Sequence, residues 1–155
     1  MPVMVGGVIE KEGKFLLVQE AKENCKGKWN LPAGHLEINE SIFEGAKREI
    51  FEETGCIVDL TGLLQISNRV FEDKIFVGFM FSAKLIDENI NFNTNEILNV
   101  KWFSYEELLD MKDDLRLYYW IINAIKAYKD NKIMDLHTIN TVSYTHLTLP
   151  TKLEV

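Results

Sequence analysis

Glu49, Glu52 and Glu53 stand at i, i+3 and i+4, the spacing that sets three carboxylates on one face of an α-helix. Like charges placed this way repel by roughly 0.2–0.5 kcal/mol per pair. A chain that accepts this cost has cations to place there. The donors are hard oxygens with no His or Cys beside them, which suits Mg²⁺, or Mn²⁺, better than zinc. A solvated acidic face is the blander explanation. It accounts for Glu37 and Glu44 but not for Arg48 and three face-sharing carboxylates following the Pro32-Ala33-Gly34 turn.

The element that must carry these groups is well signalled. Ser41 and Glu44 have capping-box spacing, with the hydroxyl taking an orphan backbone N–H and Glu44 reaching back. Gly55 suits the left-handed residue that ends a helix. Phe43, Ala46 and Ile50 form a buried stripe beside the acidic one. Gly45, one turn before Glu49, is expected to leave room for a ligand.

The spacing from Gly34 through Glu40, Arg48-Glu49-Ile50, Glu52-Glu53 and Gly55 resembles the Nudix box, the signature of the Nudix hydrolase superfamily. Every fixed polar and glycine position matches. Cys56 stands where an aliphatic residue is usual, and is small and apolar enough to pack there. The resemblance runs from about Val3 to Ile133 and implies a Nudix fold, an α/β/α sandwich with a mixed β-sheet.

The rest of the chain agrees with that class. At 155 residues, 46% hydrophobic and 26% charged, it is one globular domain. Residues 1–136 are assigned to the domain and 137–155 to a non-native or disordered tail, of which Thr141–Thr151 resembles translated adapter sequence, so His146 has no catalytic weight. His137 reads as exposed. Val3–Ile9 and Phe15–Gln19 are apolar runs around a Lys11–Lys14 turn, as expected of a hairpin buried on both faces. Glu20–Gly27 reads as loop. Ile57–Leu64 is a strand interrupted at Thr61-Gly62, and Gln65–Phe71 with Lys74–Leu85 a hairpin whose Phe76, Phe79 and Phe81 belong to the core. Val100–Phe103 is a strand. Ser104–Glu107 repeats the capping box, and a helix over Leu115–Lys129 buries Leu115, Tyr119, Ile122 and Ile125.

A net charge of −7 without a basic stripe argues against duplex nucleic acid as a partner. A small phosphorylated substrate is repelled as well unless divalent cations intervene. No apolar run reaches membrane-spanning length, and two isolated cysteines suit the cytoplasm. Lys22, Lys26 and Lys28 could reach a substrate phosphate, although surface lysines taken singly are solubilising. Lys28, Asn30 and His35 are retained as candidate substrate contacts.

The resemblance implies further roles. Glu49, Glu52 and Glu53 would ligate Mg²⁺ (or Mn²⁺), with the Gly34 carbonyl as a further ligand. Arg48 would orient a site carboxylate through a bidentate pair, and Glu40 would pair with it or hold waters around the metal rather than bind the metal directly. Glu53 is the first candidate for general base and Glu96 the second. The implied reaction is attack of water on phosphorus in a pyrophosphate link. The segment Trp29–Glu37 looks like the bacterial Nudix phosphatase branch, which acts on hydroxymethylpyrimidine pyrophosphate, thiamine pyrophosphate and nucleotides. The alternatives are a MutT-like hydrolase of oxidised nucleotides and a non-catalytic ligand-binding sensor. Monomer and homodimer both stay open.

Overall fold

The computed structural model describes residues 2–142. The judgement on the tail beyond 142, His146 included, lies outside the described residues. Among the described residues there are seven strands and three α-helices: β1 Val3–Lys11, β2 Lys14–Glu20, β3 Trp29–Asn30, β4 Ala33–His35, α1 Ile42–Thr54, β5 Ile57–Phe71, β6 Lys74–Asp87, β7 Ile97–Ser104, α2 Tyr105–Leu109 and α3 Tyr118–Lys129.

The sheet is mixed. β1 pairs in parallel with β6 and antiparallel with β2 and β4, while β7 pairs with β2 and β5 with β6. Alternation along the strands sends neighbouring side chains into different layers. Val8, Leu17, Leu64 and Met80 pack with α3 residues Ile121, Ile122 and Ile125. Their neighbours Ile9 and Leu16 pack with Ile50 of α1, and Val5, Leu63 and Phe81 pack with Ala46 of α1. Helices on both faces of one sheet make the α/β/α sandwich.

β1 and β2 are paired only near their turn, at Glu10 with Phe15 and Lys11 with Lys14. Beyond it β1 takes β4 as its neighbour at Met4–Gly6, while β2 runs along β7. The sheet therefore splays, and the end of β2 at Glu20 and the β4 segment flank the opening. The turn is built for a tight reversal, with φ of 51° at Glu12 and 79° at Gly13.

Several expectations need correction. Thr61-Gly62 does not break the strand; β5 continues across it with register shifts between Leu60 and Gly62 and between Leu63 and Gln65. Glu20 belongs to β2 rather than to the following loop. α3 begins at Tyr118, because Leu115 instead bridges to Trp29. Tyr119 points outward and is 65% exposed, the inward positions being Ile121, Ile122, Ala124 and Ile125. Ser41 caps α1 by accepting from the Glu44 N–H at 3.1 Å, whereas the reciprocal bond of a full capping box forms at Ser104 and Glu107. Gly45 leaves no ligand space: a Cβ there would meet Leu36 Cδ1 at 2.6 Å and Glu40 Oε1 at 2.9 Å.

α1 is held on the sheet by Ala46 and Ile50, both fully buried. Ile50→Ala should destabilise the fold by about 2–5 kcal/mol, the usual range for emptying such a site. Thermal and urea unfolding of the metal-free chain would show this as a lowered midpoint with little change in denaturant slope.

Candidate active site

Arg48 is where α1 is joined to the loop before it. Its guanidinium grips Glu40 in two bonds, Nε to Oε2 at 2.9 Å and Nη2 to Oε1 at 2.7 Å. Nη1 donates to Glu49 at 2.8 Å and Glu52 at 3.1 Å, and Nη2 to the His35 carbonyl at 3.0 Å. A lysine could not reproduce this planar fork. The pairing holds the Glu40 carboxyl below its usual range, aided by the Glu37 N–H.

Glu53 takes the opposite course. It is 8% exposed and accepts from the Ala33 N–H at 3.0 Å. Burial, followed by the nearby charge of Glu20, pushes its carboxyl well above the ordinary value. Glu49 is raised as well, because burial outweighs the pull of Arg48. Gly34 makes close approach possible: a Cβ on it would run into the Glu49 carboxylate.

These groups line one cavity of about 870 Å³. Gly34, His35, Arg48, Glu49, Glu52, Glu53 and Glu96 all border it, Glu96 from the turn preceding β7. Asn30 borders it too, but the residue is 3% exposed and its side-chain oxygen accepts from the Leu31 N–H at 2.9 Å. Lys28 does not reach the cavity. Its ammonium is taken by the Asp113 carbonyl, an acceptor 85 residues away that no local pattern signals. Phe76, expected in the core, is a half-buried wall of the cavity.

Sequence reasoning missed Glu20, Arg116, Ser67 and Trp120, while Lys22, one of the three lysines considered for a substrate phosphate, does border the cavity. Glu20 is 3% exposed and borders the cavity together with Lys22 and Arg116. Ser67, Phe76 and Trp120 build the wall on the β5–β6 side, with the Trp120 indole N–H donating to Ser67 Oγ at 3.1 Å. Arg69 lies over the Phe76 ring at 5.6 Å. A charged residue closing an apolar strand was the one available signal, and Glu20 carried it.

The family model described as NUDIX domain matches residues 2–123. Phosphatase NudJ of Escherichia coli K12 is 39% identical over 146 residues, with 92% of each chain covered. A NUDIX hydrolase from Nitrosomonas europaea superposes with a TM-score of 0.83 at 30% identity, over 91% of this chain and 97% of that one. The MutT protein from Methanosarcina mazei Go1 superposes at 0.68 with 28% identity, over 84% and 95%. The chain belongs to the Nudix family and is an enzyme of it.

Nudix hydrolases generally use divalent metals, and the residues present fit one. The donors are carboxylate oxygens beside a backbone cradle at Gly34, and burial, with a smaller share from neighbouring carboxylates, raises the proton affinity of Glu49 and Glu53. Among the described residues no three such side chains already converge into a metal cage. Glu49 and Glu52 are turned to Arg48 instead.

Because folded Glu53 binds its proton more tightly than the unfolded chain does, its contribution to stability is complete below the ordinary carboxylate range. It is lost as pH rises through the elevated folded value. Glu53→Gln keeps an acceptor for Ala33 and removes the charge. In EDTA the variant should melt above wild type at neutral pH, by roughly 2–4 °C per kcal/mol recovered. The gap should close toward acidic pH. Melting curves across pH read it directly, and equal midpoints at pH 7 would contradict the burial argument.

Proposed function

We propose that the chain is a Mg²⁺-dependent hydrolase (Mn²⁺ serving as the alternative) that cleaves a phosphoanhydride bond in nucleoside di- and triphosphates or related small pyrophosphates. One observation carries the reading: the α1 carboxylates and an aromatic wall share a single cavity large enough for a nucleotide-sized ligand. The similarity to a curated relative named a phosphatase supports it.

Glu49, Glu52 and Glu53, with the Gly34 carbonyl, would hold the cation. When bound, it would offset the charge of the phosphates and acidify the attacking water. Arg48 keeps Glu49 and Glu52 on the cavity side of α1. One oxygen of Glu53 is fixed by Ala33, leaving the other to take the proton of the water. The water oxygen bonds to phosphorus, and the bridging oxygen leaves with the bond electrons. Glu96 borders the same cavity and is the second candidate for the base. The planar ring of the substrate would lie against Phe76 and Trp120, where aromatic contact is favourable. The buried, unpaired Cys25 and Cys56 suit a reducing compartment such as the cytoplasm.

The test is release of orthophosphate and pyrophosphate from a panel of nucleotides, thiamine pyrophosphate and nucleotide sugars with Mg²⁺. Orthophosphate from several substrates is expected. Turnover should fall on the order of 10²–10⁴-fold in Glu53→Gln if it is the base, with Glu52→Gln also impaired. A comparable loss in Glu96→Gln with Glu53→Gln active would reassign the base. Pyrophosphate from triphosphates alone would favour MutT-like chemistry. Binding without turnover would leave a sensor.

A further inference from the structure

Glu20 and Arg116 have no part in the chemistry above, yet both border the cavity. A register irregularity between Gln19 and Glu20 interrupts the β2–β7 ladder, the kind of bulge that re-aims a side chain. The Glu20 carboxylate ends up buried. Its described partner is Arg116, with Nη1 donating to Oε1 at 3.4 Å. The chain at Arg116 is pinned independently of that contact: its N–H donates to the Trp29 carbonyl at 2.9 Å, and the Trp29 N–H donates to Asp114 at 2.8 Å.

The pairing leaves Arg116 underused. A guanidinium has five N–H donors in a fixed fork, and the single side-chain bond of Arg116 among the described residues is this long one. The other cations differ: Lys22 and Lys74 border the cavity with single ammonium groups that lack a planar fork. Arg48 is consumed by Glu40, Glu49, Glu52 and the His35 carbonyl. Lys28 is tied to Asp113, outside the cavity. Arg69 lies over Phe76, on the aromatic wall. Arg116 therefore brings a fork on a pinned backbone, with donors to spare, to a cavity rich in carboxylates.

We propose that Arg116, anchored by Glu20, binds the terminal phosphate of the substrate and sets a preference for chains ending in a free phosphate over capped diphosphates. A terminal phosphate offers three unshared oxygens and up to two charges, which a guanidinium meets in bidentate fashion. A diphosphate capped by a sugar offers neither the charge nor the room for a second bond. Arg116 is thus a specificity residue, and Glu20 a positioning residue acting through it. The assignment rests on the phosphoanhydride reading above.

The experiment compares a nucleoside diphosphate with its sugar-capped counterpart, using wild type, Arg116→Gln, Arg116→Lys and Glu20→Gln. Each protein is also titrated calorimetrically with orthophosphate in Mg²⁺. Arg116→Gln should raise KM for the uncapped substrate roughly 10–100-fold, the scale of one or two charge-assisted bonds. Its kcat should change little, and KM for the capped substrate should hold. Orthophosphate binding should weaken to match. Arg116→Lys keeps the charge without the fork and should fall between; it also serves as the test if the Gln variant does not fold. Glu20→Gln should shift KM in the same direction by less. An unchanged KM ratio and unchanged orthophosphate affinity in the Arg116 variants would overturn the proposal, as would a lowered melting temperature with both constants intact. Failure of wild type to hydrolyse any substrate would sink the phosphoanhydride reading alone, because orthophosphate binding still judges Arg116.

Discussion

The site depends on keeping carboxylates close together and partly out of water while only some of them have a cationic partner. Arg48 is the device that makes this tolerable for Glu40, Glu49 and Glu52. It joins the loop to the helix through two side-chain bonds to Glu40 and one to a backbone carbonyl, so the preceding turn is tied to α1 at three points. Glu53 and Glu20 lie beyond its reach. They are buried with a backbone N–H and a distant guanidinium as their respective partners. Charges in that condition are costly unless a cation arrives or a proton is kept. The repulsion is thus concentrated on the inner side of the cavity, where a divalent ion would relieve most of it.

The fold supplies the opening. Had β1 and β2 stayed paired along their whole length, the end of β2 would be sealed against β1. Their separation after Glu10 and Phe15 places β4 beside β1 and β7 beside β2. Gly34 and Glu20 thereby come to border a common space. Two glycines that look alike in sequence serve opposite ends here. Gly34 gives way to the Glu49 carboxylate, whereas Gly45 gives way to Leu36, Glu40 and Val5, so one opens onto the cavity and the other lets α1 pack against the loop before it.

What could be read from the chain follows the range of the interactions. The acidic face, the Gly55 terminus with φ of 79° and the Ser104 capping box depend on contacts within a few residues, and their spacing is written in the sequence. The layered sandwich was legible through alternation along β1, β2, β5 and β6 and through the resemblance carried by the box. The cavity walls were not. Phe76 looks like any strand aromatic until β5 and α3 set Ser67 and Trp120 on the same cavity. Lys28 was misplaced for the same reason, since its acceptor arrives from the loop after α2. Leu115 fits a helical period, but pairing with Trp29 is stronger than that preference and delays α3 to Tyr118.

That early bridge has a consequence for the site. By bridging Leu115 to Trp29 within a turn, it delays the helix to Tyr118 and fixes the Arg116 backbone beside the end of β2. Helix propensity and the position of the guanidinium are therefore in direct competition, and the structure resolves them in favour of position. Local sequence preference is expected to yield where a functional geometry is over-determined from elsewhere. Here two backbone bonds and the T-shaped packing of Trp29 on Phe103, with centroids 4.9 Å apart, do the over-determining. The same Trp29 leads directly into Asn30, Leu31, Pro32 and the Ala33 N–H that holds Glu53. A single aromatic anchor thus ties the segment that holds the buried carboxylate of α1 to the segment that carries Arg116.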